Sequence, residues 1–515
     1  MVRSAAELKS FVREARGILE RERDLAAFEI YCTSAENTVA RIAYTSDIAC
    51  RGVEELKSHV ADGFSLRIVM RRDARETGVA TEAADLSVAA LRAALERARS
   101  AALVDPHFPG LPGSPRRLER HNVRASEAAS LMRENDRALV ESAWRVVGGA
   151  LEAFVAKPSR NPEQPGLVLG GDVTVVRDRM AIGSSSFDDV RAEAGAHFSC
   201  SVTALIESLG AKGTSAAFGT KASAMKLAAA RAGRDAVTRA LALGGGERPA
   251  GGNYRIVFGP QPIAEILNYM VIPSLTTGAF QAASTAFHGR FGAQVMDARL
   301  TLLDDPAAAT GAIRRGLTCE GLPAQRTTMI RDGRLVGLLS NFYDGHRLAT
   351  DEHRADKLGP LGPAEVNFPA GSGYRLGETA ARRFDASPGS AATNVIMRAR
   401  GGVSERELIR AVGEGIYVGR VWYTYPINGQ RAGDFTCTVS GDSWLIRDGR
   451  LARPLAPNAL RINANIAQIF ARPLGVGNRA APVLVWGAPE AYYTIAVAAD
   501  GVPLSAIEAS QSAME

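Results

Sequence analysis

The stretch Gly429–Leu455 reads GQRAGDFTCTVSGDSWLIRDGRLARPL and sets short apolar runs between pairs of turn-forming residues. Such pairs are typical of the reversals between antiparallel strands. We therefore predict a mainly antiparallel β domain over residues 253–515, interrupted by one helix at Ser404–Gly413. The turn pairs of this region are Asp332-Gly333, Asn428-Gly429, Gly433-Asp434, Gly441-Asp442 and Asp448-Gly449.

The residues before this domain alternate between helical and strand-like patterns. Residues 1–116 open with an amphipathic helix at Ala5–Arg23, continue with strand-like alternation and end in a run rich in proline and glycine. Residues 117–252 repeat this order loosely and contain an alanine-rich stretch, Ser215–Leu243, that we predict to be helical throughout. The predicted fold class is α+β, with N-terminal α/β sandwich-like segments and mixed sheets followed by the antiparallel β domain.

Composition and charge exclude several classes of protein. The chain has 515 residues, 46% of them hydrophobic and 23% charged, as in folded globular proteins. Its 61 basic residues are spread along the chain against 55 acidic ones, so we predict no nucleic-acid partner. The first residues carry charges at helical spacing, and no run of 18 apolar residues follows. We expect a cytoplasmic protein without a membrane partner.

The residue types that bind metals do not form a known motif. The five cysteines include no C-x-x-C pair, and no two of the seven histidines have the spacing of H-E-x-x-H. The nearest pair is His346 and His353, which a helix would separate by about 10 Å along its axis. We favour the interpretation that both are surface histidines in a charged segment, and we predict no metal in this chain.

Nucleophile motifs are equally scarce. There is no G-x-S-x-G elbow, and Ser223-x-x-Lys226 lies inside the alanine-rich stretch without the companion motifs of a serine–lysine enzyme. Cys319 and Cys437 stay open as alternative nucleophiles, although no histidine lies near either in sequence. From the residues alone, the chain is a multidomain α+β protein without a recognisable catalytic constellation.

An ordered set of motifs nevertheless resembles one family over nearly the whole chain. Gly63–Ser87 reads GFSLRIVMRRDARETGVATEAADLS, and Leu300–Pro306 reads LTLLDDP. Cys319–Asn341 reads CEGLPAQRTTMIRDGRLVGLLSN, and Ala392–Asn394 reads ATN before the stretch quoted first. Each motif is weak by itself, but in this order they resemble the PmbA/TldD family.

The resemblance also implies a branch of that family. The TldD branch binds its catalytic metal through a helical H-E-x-x-x-H and a distant C-terminal cysteine. Here the corresponding positions after the strand RIVFGPQ hold Asn268, Tyr269 and Pro273, and Pro473–Gly487 contains no cysteine. A proline supplies no ligand and ends or kinks a helix. The pattern resembles the TldE (PmbA) branch, whose members lack the metal ligands.

By resemblance, this chain is then a non-catalytic subunit of a metallopeptidase that acts on unfolded or leader peptides. Its partner is a TldD-like catalytic subunit that holds the metal, expected to be zinc, and the isolated chain can pair with itself. Gly433, Asp434 and Phe435 are candidates for a peptide groove, with a plain β-turn anchored in the core as the alternative. An independent enzyme or peptide-binding protein of the same fold, using a non-metal constellation, stays open as the second hypothesis.

Overall fold

The computed structural model describes residues 2–46, 48, 51–113, 125–156, 166–362, 367–377 and 380–508. The predicted boundary at residue 116, Cys50 and His121 lie outside the described residues. The helices are α1 Ala5–Leu19, α2 Val88–Ser100, α3 Ala125–Met132, α4 Asp136–Val155, α5 Ala222–Ala242, α6 Pro260–Ile266, α7 Thr277–Gln281, α8 Phe342–Thr350, α9 Arg354–Leu358, α10 Glu405–Val412 and α11 Ile466–Phe470.

The strands of the described residues fall into an N-terminal and a C-terminal group. The N-terminal strands are β1 Leu25–Thr45, β2 Lys57–Met70, β3 Glu76–Ala83, β4 Leu103–Val104, β5 Leu167–Ser184, β6 Arg191–Ile206 and β7 Ala211–Gly219. The C-terminal strands are β8 Gly252–Phe258, β9 Leu300–Asp304, β10 Thr327–Arg331, β11 Arg334–Leu335, β12 Gly373–Tyr374, β13 Gly389–Ser390, β14 Asn394–Ala399, β15 Gly415–Val418, β16 Arg420–Pro426, β17 Asp434–Gly441, β18 Trp444–Arg447, β19 Arg450–Pro454, β20 Leu460–Asn465, β21 Gly475–Val476, β22 Ala481–Val483, β23 Ala491–Thr494 and β24 Val497–Ala506.

The N-terminal strands form one antiparallel sheet in the order β4-β3-β2-β1-β5-β6-β7. Its central strand, β1, pairs with β2 on one side and with β5 on the other, so both predicted N-terminal segments share this sheet. The helices α1, α2, α4 and α5 pack on it. Alternate residues of β1, among them Phe28, Ile30 and Ile42, are buried against these helices in two apolar clusters. One face of the sheet therefore belongs to an α/β sandwich.

The C-terminal group forms a nine-stranded sheet and a six-stranded sheet around a second core. One sheet runs β16-β17-β20-β24-β8-β15-β18-β19, with β21 attached to β24, and the other runs β11-β10-β9-β14-β23-β22. Most pairs are antiparallel; β8 with β15 and β14 with β23 are parallel. A continuous apolar cluster, centred on residues such as Phe258, Phe435 and Phe470, lies between them. The predicted α+β class, with mixed sheets and a mainly antiparallel C-terminal domain, is confirmed.

The prediction for Ser215–Leu243 is partly wrong, because the stretch is not helical throughout. Its first residues belong to β7, which pairs antiparallel with β6, and α5 begins only at Ala222. Alternate side chains of β7, such as Ala211 and Ser215, are buried while their neighbours are not. Pairing with a sheet edge therefore overrides the helical preference of alanine in this segment.

The other face of the N-terminal sheet packs against the C-terminal group through charged residues. The fully buried Asp178 of β5 accepts hydrogen bonds from Arg315 (2.7 Å) and Arg382 (2.6 Å). Arg382 also pairs with Glu193 of β6. Burial would raise the pKa of Asp178, but the two guanidinium groups hold it well below its usual range. We call these four residues the ion network; it joins the two halves of the molecule.

None of the helices in the described ranges is long and apolar enough to cross a membrane.

Candidate functional site

The segment predicted to replace a metal-binding helix contains an irregular helical stretch. Helix α6 begins with Pro260 in its first turn and ends at Ile266. A π-helical turn, Leu267–Val271, follows directly, and a 3₁₀ turn begins at Pro273. In the π turn the amide of Ile272 donates to the carbonyl of Leu267 (2.8 Å), five residues back. Because Pro273 has no amide hydrogen, the regular helical ladder cannot continue through it.

Two side chains and a backbone carbonyl of the π turn are held by hydrogen bonds to distant parts of the C-terminal group. The hydroxyl of Tyr492, on β23, donates to Oδ1 of Asn268 (2.9 Å). The hydroxyl of Tyr269 donates to the carbonyl of Trp486 (3.3 Å), in the loop between β22 and β23. Nε2 of Gln430 donates to the carbonyl of Met270 (2.5 Å). We call Asn268, Tyr269, Gln430 and Tyr492 the neutral cluster, since none of them is charged.

Acidic groups lie near this cluster, and Glu265 is the one whose charge acts on both Tyr269 and Tyr492. Glu265, the penultimate residue of α6, is buried, and its carboxylate accepts a hydrogen bond from Gln261 (3.0 Å). Burial raises the pKa of Glu265 to about 7, and the nearby guanidinium of Arg420 opposes that rise. A single carboxyl group with such a pKa exchanges its proton near neutrality.

The comparisons with known proteins address this C-terminal region first. Residues 251–500 match the family model of the PmbA/TldA metallopeptidase C-terminal domain. This C-terminal domain belongs to the PmbA/TldD family. No curated protein sequence matches the chain.

Solved structures of similar fold cover almost the whole chain. TldE from Thermococcus kodakarensis has a TM-score of 0.72 at 16% identity, covering 98% of this chain and 100% of that one. A "putative modulator of DNA gyrase" from Bacteroides thetaiotaomicron has a TM-score of 0.68 at 16% identity, covering 97% and 99%. A protein of the same description from Thermotoga maritima has a TM-score of 0.69 at 14% identity, covering 96% and 99%. At such identities these structures establish the shared fold, including the N-terminal sheet.

The residues predicted from the resemblance to stand at the PmbA/TldD metal position do not fit a catalytic metal ion. A catalytic zinc site needs three histidine, cysteine or carboxylate ligands and an open coordination position. Asn268 offers an amide oxygen that already accepts a hydrogen bond from the hydroxyl of Tyr492, and Pro273 has no side-chain ligand atom. Across the described ranges, no three histidine, cysteine, aspartate or glutamate side chains come together as a possible metal site. The chemistry of this position is hydrogen bonding between protein groups.

The two alternative nucleophiles are buried and far from being activated. Burial raises the pKa of the Cys319 thiol well above its usual range, and Glu320 beside it adds to the rise. Burial likewise raises the pKa of Cys437, with Glu265 nearby as a second contribution. Because a nucleophilic cysteine acts as its thiolate, both sites favour the unreactive form.

The predicted peptide-groove residues lie at the start of β17. Gly433 has a φ of 73° and ends a short 3₁₀ turn, a conformation that favours glycine. The carboxylate of Asp434 accepts hydrogen bonds from Asn428 (2.9 Å) and Asn465 (2.8 Å). Phe435 is fully buried in the C-terminal core. The turn is thus anchored in the core through Phe435, and contact of Gly433 and Asp434 with a peptide stays a prediction.

The histidine pair lies outside the region around the π turn. His346 belongs to α8, whereas His353 precedes α9 and is largely exposed. The residues that sequence reasoning missed are Gln430, Tyr492 and Glu265. Only Glu265 could have been suspected, because an acidic residue stands alone in the apolar stretch before the metal position.

Proposed function

We propose that this chain is the non-catalytic, TldE-like subunit of a TldD/TldE-type metallopeptidase. The observation that carries the proposal is the neutral cluster: at positions that the resemblance assigns to the metal helix, Asn268 and Tyr269 hydrogen-bond to other groups of the protein and Pro273 has no side-chain ligand atom. Membership of the PmbA/TldD family and a fold shared with TldE support it. A TldD-like chain with intact H-E-x-x-x-H would supply the metal, expected to be zinc, and activate the water that cleaves the peptide.

The substrate class follows from the same proposal. A peptidase built from two such subunits would act on unfolded or leader peptides, because a peptide must be extended for strand-like backbone pairing. The C-terminal domain of this chain would then form one wall of the space that holds the peptide.

The test is co-expression of this chain with a PmbA/TldD homologue that carries H-E-x-x-x-H. We expect the two chains to co-purify and to hydrolyse an unstructured peptide such as reduced, carboxymethylated casein, with loss of activity on chelation. The chain by itself should leave the peptide intact. Changing the first histidine of the partner's motif to alanine is the matched control, since it removes the metal and leaves this chain unchanged.

The second hypothesis, an independent enzyme, predicts a different result. Cleavage by this chain alone, insensitive to chelators and abolished by Cys319→Ala or Cys437→Ala, would favour that hypothesis. The burial of both thiols argues against it.

A further inference from the structure

The turn between β16 and β17 contains Asn428-Gly429, the one place in the chain where an asparagine directly precedes a glycine. Both residues are exposed. Gly429 has a φ of 75°, in the region that favours glycine, and nothing lies within 4 Å of the position where a side chain would begin. The backbone that follows the Asn428 side chain therefore carries no bulky group and has open space beside it.

The side chain of Asn428 helps to hold the start of β17. Nδ2 of Asn428 donates to one carboxylate oxygen of Asp434 (2.9 Å), and Nδ2 of Asn465 donates to the other (2.8 Å). The hydrogen bonds from Asn465 and Asn428 lower the pKa of Asp434, because amide donors favour the charged carboxylate. We call Asn428, Asp434 and Asn465 the Asp434 clamp. It fastens the turn and the end of β20 to a single carboxylate.

Backbone hydrogen bonds close the same turn. The amide of Ile427, the residue before Asn428, donates to the carbonyl of Asp434 (3.0 Å). The amide of Ile466, the residue after Asn465, donates to the carbonyl of Gly433 (3.0 Å). A change of charge or of backbone length at Asn428 therefore acts directly on the junction of β16, β17 and β20.

We propose that Asn428 is a site of spontaneous deamidation that opens the Asp434 clamp. The backbone nitrogen of Gly429 gives up its proton to solvent and attacks Cγ of Asn428. A bond between that nitrogen and Cγ forms, the bond from Cγ to the side-chain nitrogen breaks, and the side-chain nitrogen takes up a proton from water and leaves as ammonia. Water then opens the five-membered imide at either of its two carbonyl carbons and gives aspartate or isoaspartate. Water is the only co-reactant, and nothing is oxidised or reduced.

The residue after the asparagine distinguishes Asn428 from Asn465, although both bond to the same carboxylate. A side chain on the following residue crowds the attacking nitrogen, and a β-branched side chain is both bulky and stiff. Asn465 precedes Ile466, which is buried in the C-terminal core. The side-chain oxygen of Asn465 also accepts a hydrogen bond from the amide of Ala467 (2.9 Å), at the start of α11. Asn465 is therefore the internal control for the reaction at Asn428.

Both products of deamidation weaken the clamp. A carboxylate at position 428 has no hydrogen to donate to Asp434, and two like charges at hydrogen-bond distance repel each other. In the isoaspartate product the main chain continues through the former side chain and gains a methylene group, which displaces the pairing of Ile427 with Asp434. The connection between β16 and β17 is loosened in either case.

The first test follows the full chain by peptide mapping with mass spectrometry during incubation at neutral and at alkaline pH. We expect Asn428 to gain the mass difference between an amide and an acid, with isoaspartate among the products. The reaction should be faster at alkaline pH, because the attacking nitrogen must lose its proton. Asn465 should stay unchanged over the same time. An intact Asn428 after the capped free peptide of residues Pro426–Arg431 has fully deamidated would overturn the proposal.

The second test measures the effect on the clamp by thermal unfolding. Asn428→Asp introduces the charge directly and should lower the unfolding temperature at neutral pH. Adding Asp434→Asn exchanges the two groups, because the new amide can donate to position 428 while its oxygen still accepts from Asn465. This double variant should recover the lost unfolding temperature. The matched control is Asn478→Asp, which adds the same charge at another exposed asparagine and should leave the unfolding temperature unchanged.

The remaining outcomes of the second test are decisive as well. If Asn428→Asp unfolded at the same temperature as the unchanged chain, or if the double variant recovered nothing, deamidation would not open the clamp and the proposal would be wrong. Deamidation of Asn428 is independent of the proposed peptidase function, because it is measured on the mass and stability of this chain alone.

Discussion

The ion network and the neutral cluster differ in whether the polar groups that link distant segments carry charge. Each joins segments that are distant in sequence through buried or half-buried polar groups. The ion network does so with Asp178 and Glu193 against Arg315 and Arg382, so that each charge has an opposite charge beside it. The neutral cluster uses an amide, two phenols and a glutamine.

The difference shows how a position predicted to lack metal ligands contributes to the fold. A catalytic metal site keeps ligand atoms reserved for the ion and leaves one coordination position open. In the neutral cluster Asn268 accepts from Tyr492 and Tyr269 donates to the Trp486 carbonyl, so these groups contribute to holding the fold together. In the ion network, by contrast, buried charges connect the two halves.

Breaking the ion network should have the largest effect on stability. Arg382→Met keeps the side-chain volume but leaves Glu193 without its arginine and Asp178 with only one. Removing one partner of a buried pair costs about 3–5 kcal/mol of unfolding free energy, because a buried charge remains uncompensated. Urea denaturation followed by circular dichroism measures the change.

The neighbouring residue supplies the control for that variant. Arg383 pairs with Asp385 at the surface, where an ion pair contributes about 0–1 kcal/mol. If Arg382→Met and Arg383→Met lowered stability equally, the ion network would not be what joins the halves.

Breaking the neutral cluster should cost less, because its groups carry no charge. Asn268→Ala leaves the hydroxyl of the fully buried Tyr492 without its acceptor. An unsatisfied buried hydroxyl costs about 1–3 kcal/mol. The double variant Asn268→Ala, Tyr492→Phe removes both partners and should recover part of that loss, which denaturation of the two variants would reveal. No recovery in the double variant would contradict the assigned hydrogen bond.

The pH dependence of the unfolding free energy distinguishes a buried acidic group with a raised pKa from one with a lowered pKa. Burial raises the pKa of Glu490 to about 8, and the nearby Asp304 adds to the rise. A carboxyl group whose pKa is higher in the folded state stabilises it fully below the unfolded pKa, near 4.5, and loses that contribution as pH rises toward 8. Asp178, with a lowered pKa, behaves in the opposite way and loses its contribution in acid.

Glu490→Gln separates these two effects. The variant should lose less stability than the unchanged chain between about pH 4.5 and pH 8, while both should lose stability alike in stronger acid. Thermal unfolding across this pH range measures it. If the unfolding temperatures of the two proteins changed in parallel with pH above 4.5, Glu490 would not titrate with a raised pKa.

The smallest effect is expected at the cysteines. Because burial raises the pKa of Cys319 and Cys437, neither thiol should react with Ellman's reagent in the folded chain, and both should react after denaturation. Cys437→Ser serves as the comparison, because the thiol signal that this variant lacks after denaturation belongs to Cys437. Rapid modification of either residue at neutral pH would reopen cysteine chemistry.

Local sequence was sufficient for the features that depend on neighbours in the chain. The turn at Asp448-Gly449, with φ values of 48° and 69°, joins β18 and β19 where the Asp-Gly pair predicted a reversal. The capping box of Ser404 and Glu407 begins α10 close to the predicted helix start. In both places a few consecutive residues determine the backbone.

Local sequence could not supply the contacts that make up the site. Asn268 and Tyr492 are 224 residues apart, and Gln430 and Met270 are 160 apart, so no spacing rule connects them. The prediction of a helix over all of Ser215–Leu243 failed for the same reason, because only pairing with β6 makes Ala211–Gly219 a strand. The resemblance predicts which residues stand at the metal position, and the structure shows what those residues bond to.

Metal analysis of the purified chain tests the central claim most directly. The protein is loaded with zinc in the absence of chelator, dialysed, and its metal content measured by mass spectrometry. We expect no stoichiometric transition metal, because the groups at the family's metal position bond to one another or carry no donor. One tightly bound ion per chain, lost on changing His346 or His353, would contradict this account.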